Sequence, residues 1–170
     1  MGKKLRSVRW GILLAVLTIL LGFAIGAVMG GAEAQLKAYW QATAQSGLAT
    51  VYQNDPQKIT AIVERSWKML QRAHMHAAAI GTAALILMTV LASLDVPALY
   101  KKVLSLFLGA GGLGYSLSWL YVAFAAPTIG SIPLAKGSIH LLAAGSIGML
   151  LLGTGLVLFL GLQKVFTKEI

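Results

Sequence analysis

The chain has 170 residues, of which 58% are hydrophobic and only 11% charged, and its formal net charge is +9. Soluble domains carry roughly 45–50% apolar and about 25% charged residues, so a water-soluble globule is excluded and the chain reads as a membrane protein. It contains no cysteine, which removes disulfides, thiolate metal sites, iron–sulfur clusters and covalently attached c-type haem.

Lys3, Lys4, Arg6 and Arg9 open the chain and lead into an apolar run over residues 10–32. A basic start, an apolar run and Ala32-Glu33-Ala34 imitate a cleavable leader, but the run exceeds the roughly 7–15 apolar residues of such leaders. It reads as a retained helix. Further runs cover 73–94, 103–126 and 139–162, each near or above the ~20 residues that cross a ~30 Å hydrocarbon layer. None alternates like a barrel strand, and lipid offers the backbone no partner, so all four are expected to be helical. The expected fold is all-α: an integral membrane four-helix bundle forming a single domain over 1–170. Gly22, Gly26 and Gly30 on the first span, and Gly109, Gly111, Gly112 and Gly114 on the third, are small residues of the kind that let helix backbones approach in lipid. The alternative use of such positions is space for a flat cofactor. Tandem glycines also raise a broken third helix, but no charged partner accompanies them.

The stretch 33–72 does not read as a random linker. Glu33 to Ser46 has neither proline nor glycine, so the first helix can continue until Gly47. Asp55-Pro56 is a helix-start signal. Beyond it Ile59, Ile62, Val63, Trp67, Leu70 and His74 recur at helical spacing, with Lys58, Glu64, Arg65, Lys68 and Arg72 on the other faces. The expectation is a helical hairpin outside the bilayer, turning near 47–55, that either docks a partner or packs on itself. Pro127 to Gly137 reads as a loop at the same side that walls off a site above His140. Basic residues near helix ends resist translocation. Lys3, Lys4, Arg6 and Arg9, then Lys101 and Lys102, then Lys164 and Lys168 place both termini in the cytoplasm and the hairpin on the outer face of a multi-pass protein of the cell (inner) membrane. Anchoring to the bilayer surface accounts for the positive charge, and nucleic acid is not expected as a partner.

His74, His76 and His140 are the ionisable residues that stand inside apolar stretches, where such groups default to function. Residues two apart on an α-helix point roughly 200° apart, so His74 and His76 cannot serve one site. His74 shares its face with Ala78 and Gly81, and His140 shares its face with Ala144 and Gly148: twice, a histidine above small residues. If the second and fourth spans are neighbours, an imidazole from each converges near the outer leaflet. Bis-histidine ligation of haem iron has that requirement. His74 with His140 is the favoured pair, with His76 as the substitute. Arg72, Lys68 and Lys136 are the cations available for propionates, and Tyr115 and Trp119, one turn apart, can flank the ring. Copper is the competing reading, with Met69, Met75 and Met29 as thioether ligands.

The segment Arg72-Ala73-His74-Met75-His76-Ala77-Ala78-Ala79-Ile80-Gly81 resembles the haem-ligand helix of the haem–copper oxidase superfamily and of other small membrane b-type cytochromes, where an arginine precedes a histidine followed by small residues and a glycine. The resemblance covers one helix and implies haem b ligation by His74, with His76 as its rival. Oxygen reduction and pumping are not implied, because the spans and histidines of an oxidase catalytic subunit are absent. No acidic relay stands at mid-membrane depth, and neither a hydrolase nor a kinase motif is present. Two functions are expected from these residues. One is an electron-transfer subunit that exchanges electrons between quinol and a partner docked on the hairpin. The other is a non-catalytic accessory or assembly subunit of a larger membrane complex, holding other membrane or extracytoplasmic subunits together.

Overall fold

The computed structural model describes residues 5–166, and within them the chain is helical throughout apart from short turns. The helices are α1 (Arg9–Gly31), α2 (Glu33–Gln45), α3 (Pro56–Ser93), α4 (Ala98–Ile129), α5 (Ile132–Ser138) and α6 (His140–Phe166). Four of them, α1, α3, α4 and α6, are long and apolar enough to cross a membrane. The chain is thus an all-helical, multi-pass membrane protein. Large apolar side chains such as Phe23, Leu141, Leu151 and Phe159 face outward, which is stable in lipid and costly in water.

α4 is the centre of the bundle and packs against α1, α3 and α6, whereas α3 and α6 meet only marginally. This corrects the neighbour relation on which the pairing of the second and fourth spans depends: the third span lies between them. The reason is in the glycines. A Cβ on Gly11 would strike the Ser105 carbonyl oxygen, and one on Gly109 would lie 2.7 Å from the Gly11 oxygen, so α1 and α4 meet backbone to backbone. A Cβ on Gly111 would lie 2.7 Å from the Ser146 oxygen and 2.8 Å from the Leu150 nitrogen, which welds α4 to α6. Between α1 and α3, Gly22 approaches the Ala78 nitrogen and Gly81 approaches the Ala15 carbonyl. Gly30 and Gly148, by contrast, have open space at the Cβ position. Despite its glycines α4 is continuous: Gly109 and Gly111 meet neighbouring backbones, and Gly112 and Gly114 meet the side chains of Ile80 and Ser146.

Two clusters of buried side chains cap this glycine-tight middle. At the end that carries the start of α1, Val8, Met88, Leu91, Leu104, Leu108 and Val157 pack together. There Lys101 is buried because its Nζ donates to the Ala92 carbonyl at 3.0 Å, closing one of the last free acceptors of α3. The other end holds Trp40, Tyr52, Ile59, Ile62, Trp67, Leu70, Val122, Ala126 and Ala135. Trp40, fully buried, meets Trp67 edge-on at 6.5 Å and Phe124 at 5.5 Å, linking α2, α3 and α4. Lys37 binds Glu33 at 2.9 Å and Glu64 at 3.1 Å, adding a partly exposed tie between α2 and α3. The hydrogen bonds it donates to Glu33 and then to Glu64 raise its pKa above the ordinary lysine value.

The helix starts follow local chemistry. Asp55 caps α3 by accepting from the Gln57 amide at 2.9 Å, with Pro56 in the first turn. Ile59, Ile62, Val63, Trp67 and Leu70 are buried as their spacing requires, while Lys58, Glu64, Arg65, Lys68 and Arg72 are exposed. The continuation of the first helix is interrupted: Ala32 leaves helical geometry (φ −140°, ψ 28°), directly after the pair Gly30-Gly31, where a Cβ would meet nothing within 4 Å. The expected loop over 127–137 is also corrected. Pro127 sits inside α4, which ends on Gly130 at φ 77°, and Ser131 then caps the short helix α5. A proline inside a helix withholds one donor, and here the Pro127 carbonyl is itself taken by the hydroxyl of Tyr52. Burial raises the Tyr52 pKa above its usual value, which keeps that hydroxyl a donor.

Replacing Gly22 by Leu should destabilise the protein by about 1–3 kcal/mol or more, because the clash is with the backbone of α3 and not with a movable side chain; thermal unfolding in detergent measures it, and Gly30→Leu, facing open space, should be near neutral. Tyr52→Phe, read by the same assay, should cost about 1–3 kcal/mol by orphaning the buried Pro127 carbonyl.

Candidate functional site

Helix periodicity separates the two histidines of α3, and each finds a different neighbour. His74 turns toward α1. Its Nδ1 lies 2.8 Å from the Gly22 carbonyl oxygen, and since a carbonyl only accepts, Nδ1 carries the proton. A Cβ on Gly26 would come within 2.7 Å of its Cε1, so Gly26 exists beside the ring as room for it. The small-residue stripe of α1 therefore serves twice: Gly22 lets α3 approach and supplies an acceptor, and Gly26 accommodates the imidazole.

His76 turns toward α4. Its Nδ1 donates to the carbonyl of Arg72, one turn back, at 2.7 Å. Its ring stacks on Trp119 at 5.6 Å with an interplanar angle of 27°, and meets the edge of Tyr115 at 5.4 Å. Tyr115 and Trp119 stand edge to face at 6.1 Å. Two cations complete this corner: the Arg72 guanidinium lies 5.3 Å, and the Lys136 ammonium 4.9 Å, from the Trp119 ring centroid. Neither cation pairs with a carboxylate, the ion pairs among the described residues being those of Lys37. The corner thus carries two unneutralised cations over an electron-rich indole. The Trp119 Nε1 is buried there without a hydrogen-bond partner.

His140 is the first residue of α6 and is exposed. It opens onto a cleft of about 240 Å³ lined also by Tyr115, Ser118, Trp119, Val122, Lys136 and Ala143. Trp119 is common to the His76 stack and to the cleft of His140, so one indole connects the imidazoles of α3 and α6. The short helix α5 delivers Lys136 to the rim, which is how the segment after Pro127 closes over the site.

Of the residues singled out from the sequence, His76, Arg72, Tyr115, Trp119, Lys136 and His140 are gathered at this corner. His74 is not: it faces α1, across α3 from His76. Gly81 likewise meets Ile19 and Ala15 of α1 and makes helix contact, not cofactor space. Gly148, on the His140 face, remains open. Met69 is buried in the core cluster against which Met29 packs, while Met75 is 57% exposed. Among the described residues no group of three or more His, Asp or Glu stands where it could hold a metal ion. Ser118, Val122 and Ala143 line the cleft without having been legible as site residues, because nothing in a small or apolar side chain distinguishes cleft lining from packing.

The cleft and the corner beside it are chemically suited to a flat or anionic group at the membrane boundary: they offer an aromatic wall, the cations of Arg72 and Lys136, and the imidazoles of His76 and His140. Comparison of the chain with protein-family models, curated proteins and solved structures returned no match, so the functional reading rests on this geometry.

His74→Ala should lower stability by roughly 0.6–2 kcal/mol, the range of interhelical hydrogen bonds in membrane proteins, and should leave the His76–Trp119 contact intact; thermal unfolding together with Trp119 fluorescence, compared with His76→Ala, separates the two roles.

Proposed function

We propose that this chain is a membrane electron-transfer subunit that binds b-type haem beside α4, at the Tyr115–Trp119 corner, with histidines from α3 and α6, in the leaflet next to α2 and α5. The observation that carries the reading is that Trp119, on which the His76 ring stacks, also lines with Tyr115 the cleft onto which His140 opens. Axial imidazoles commonly donate Nδ1–H to a backbone carbonyl and coordinate through Nε2, and the His76 bond to the Arg72 carbonyl supports that arrangement. Arg72 and Lys136, without carboxylate partners, suit the propionates, and the open Gly148 face below His140 suits the macrocycle edge. His76 with His140 replaces the pair His74 with His140, because His74 is held by Gly22 on the far side of α3. Haem supplies a one-electron carrier; the chain's part is to hold it, to orient its ligands and to shield it with Trp119 and Tyr115. In this reading both termini are cytoplasmic, the membrane is the cell (inner) membrane, the hairpin of α2 and the first half of α3 stands on the outer face for a partner, and quinol in the bilayer is the exchange partner.

A second reading is supported by α6, where a Cβ added at Gly145, Gly148, Gly155 or Gly161 would meet nothing within 4 Å. Open glycines on a membrane helix are where another helix can approach, which suits an accessory subunit of a larger complex. The two functions are compatible.

Full-length protein expressed with ample haem should show a Soret band and a reduced-minus-oxidised α-band. His76→Ala and His140→Ala should each lose or strongly shift these bands, and His74→Ala should keep them. A colourless protein would exclude haem and leave the accessory reading; loss of the spectrum in His74→Ala but not His76→Ala would reassign the ligand.

A further inference from the structure

At the opposite end of the bundle a second cleft, of about 440 Å³, opens between the start of α1 and the start of α4. It is lined by Arg6, Arg9 and Lys102, with Trp10, Ala98 and Leu99 forming its apolar wall. Among the described residues no carboxylate lines it. Of the four acidic residues described, Glu33 and Glu64 pair with Lys37, Asp55 caps α3, and Asp95, in the neighbouring turn, stays outside the cleft. Three like charges therefore share one solvent-facing concavity without a counter-charge among the described residues, an arrangement that an anion would complete.

The positions of these cations are built in. Lys101 and Lys102 are adjacent but divided in role: Lys101 turns inward to the Ala92 carbonyl and is buried, which fixes the turn before α4 and leaves Lys102 exposed at the cleft. The Arg9 guanidinium lies 5.3 Å from the centroid of the Trp10 ring, which restrains it at the boundary between the polar and apolar parts of the wall. Trp10 and Leu99 are 52% and 69% exposed. A tryptophan at the end of an apolar helix belongs at headgroup depth, so the cleft has its cations at the phosphate level and its apolar wall where acyl chains begin.

We propose that this cleft binds the phosphate of an anionic glycerophospholipid, with Arg6, Arg9 and Lys102 on the headgroup and Trp10 and Leu99 along the first acyl carbons. The site is independent of the histidine corner. It differs from general attraction of basic residues to an anionic surface in that one lipid per chain is held, and held by contacts that a zwitterionic headgroup satisfies poorly.

The test uses the full chain, delipidated in non-ionic detergent and titrated with phosphatidylglycerol, with phosphatidylcholine of the same chains, or with inorganic phosphate. Native mass spectrometry counts bound lipid, and quenching by brominated phosphatidylglycerol reports on Trp10. The expected result is one phosphatidylglycerol bound roughly tenfold or more tightly than phosphatidylcholine, with quenching reduced in Trp10→Phe. Arg9→Gln combined with Lys102→Gln should bring the two lipids level, and Lys102→Gln alone, at an exposed position, should weaken binding severalfold if the double variant does not fold. Equal binding of both lipids, a preference that survives these substitutions, or displacement by equimolar inorganic phosphate would each overturn the proposal, the last by making the cleft a site for free anions.

Discussion

Backbone contact at glycine is the constraint from which the rest of this structure follows. Lipid is as apolar as leucine, so apolar side chains gain nothing by leaving it for a helix interface, and association depends on close packing and interhelical hydrogen bonds. α4 meets α1 through Gly11 and Gly109 and meets α6 through Gly111, while α3 meets α1 through Gly22 and Gly81. These approaches put α4 in the centre and keep α3 and α6 apart. The placement of every polar group in the membrane region is a consequence of that order.

The buried cluster around Trp40 extends the same frame beyond the glycine-packed region. It ties α2 and the first half of α3 to α4 by edge-on aromatic contacts, each worth about 0.5–1.5 kcal/mol beyond area burial. Tyr52 adds a hydrogen bond to the Pro127 carbonyl, fixing the point where α4 gives way to α5. Lys136 consequently arrives over Trp119, next to Arg72. Polar side chains at this end are thus positioned by apolar and aromatic packing. The two clefts divide the cationic surface: one end gathers cations around aromatic rings and imidazoles, the other around a tryptophan and a helix start.

The sequence and structure part company at identifiable residues. The opposition of His74 and His76 is legible, because a rotation of 100° per residue is a property of the helix alone. Which of them would face the third span is not, because that depends on the order of helices around the bundle. Gly81 and Gly148 look alike as small residues below a histidine, yet Gly81 is filled by Ile19 and Ala15 while Gly148 has no neighbour. Pro127 reads as the start of a loop but lies within α4, since its carbonyl has Tyr52 as a partner and the true stop is Gly130 in the left-handed region. Ala32 breaks the helix just ahead of the stretch free of proline and glycine, directly after Gly30-Gly31, where a Cβ would meet nothing within 4 Å.

What the sequence by itself determined is everything that depends on hydropathy and local chain geometry: a helical membrane protein, four apolar segments of spanning length, the Asp55-Pro56 helix start, the buried face of α3 and the divergence of its two histidines. These follow from transfer free energy and from 3.6 residues per turn, which act on neighbours in the chain. Only the tertiary structure decided that α4 separates α3 from α6, that His74 is held by the Gly22 carbonyl and that His76 and His140 share Trp119. Those outcomes depend on which glycine meets which backbone across the chain, and such matching between distant segments leaves no periodicity to read.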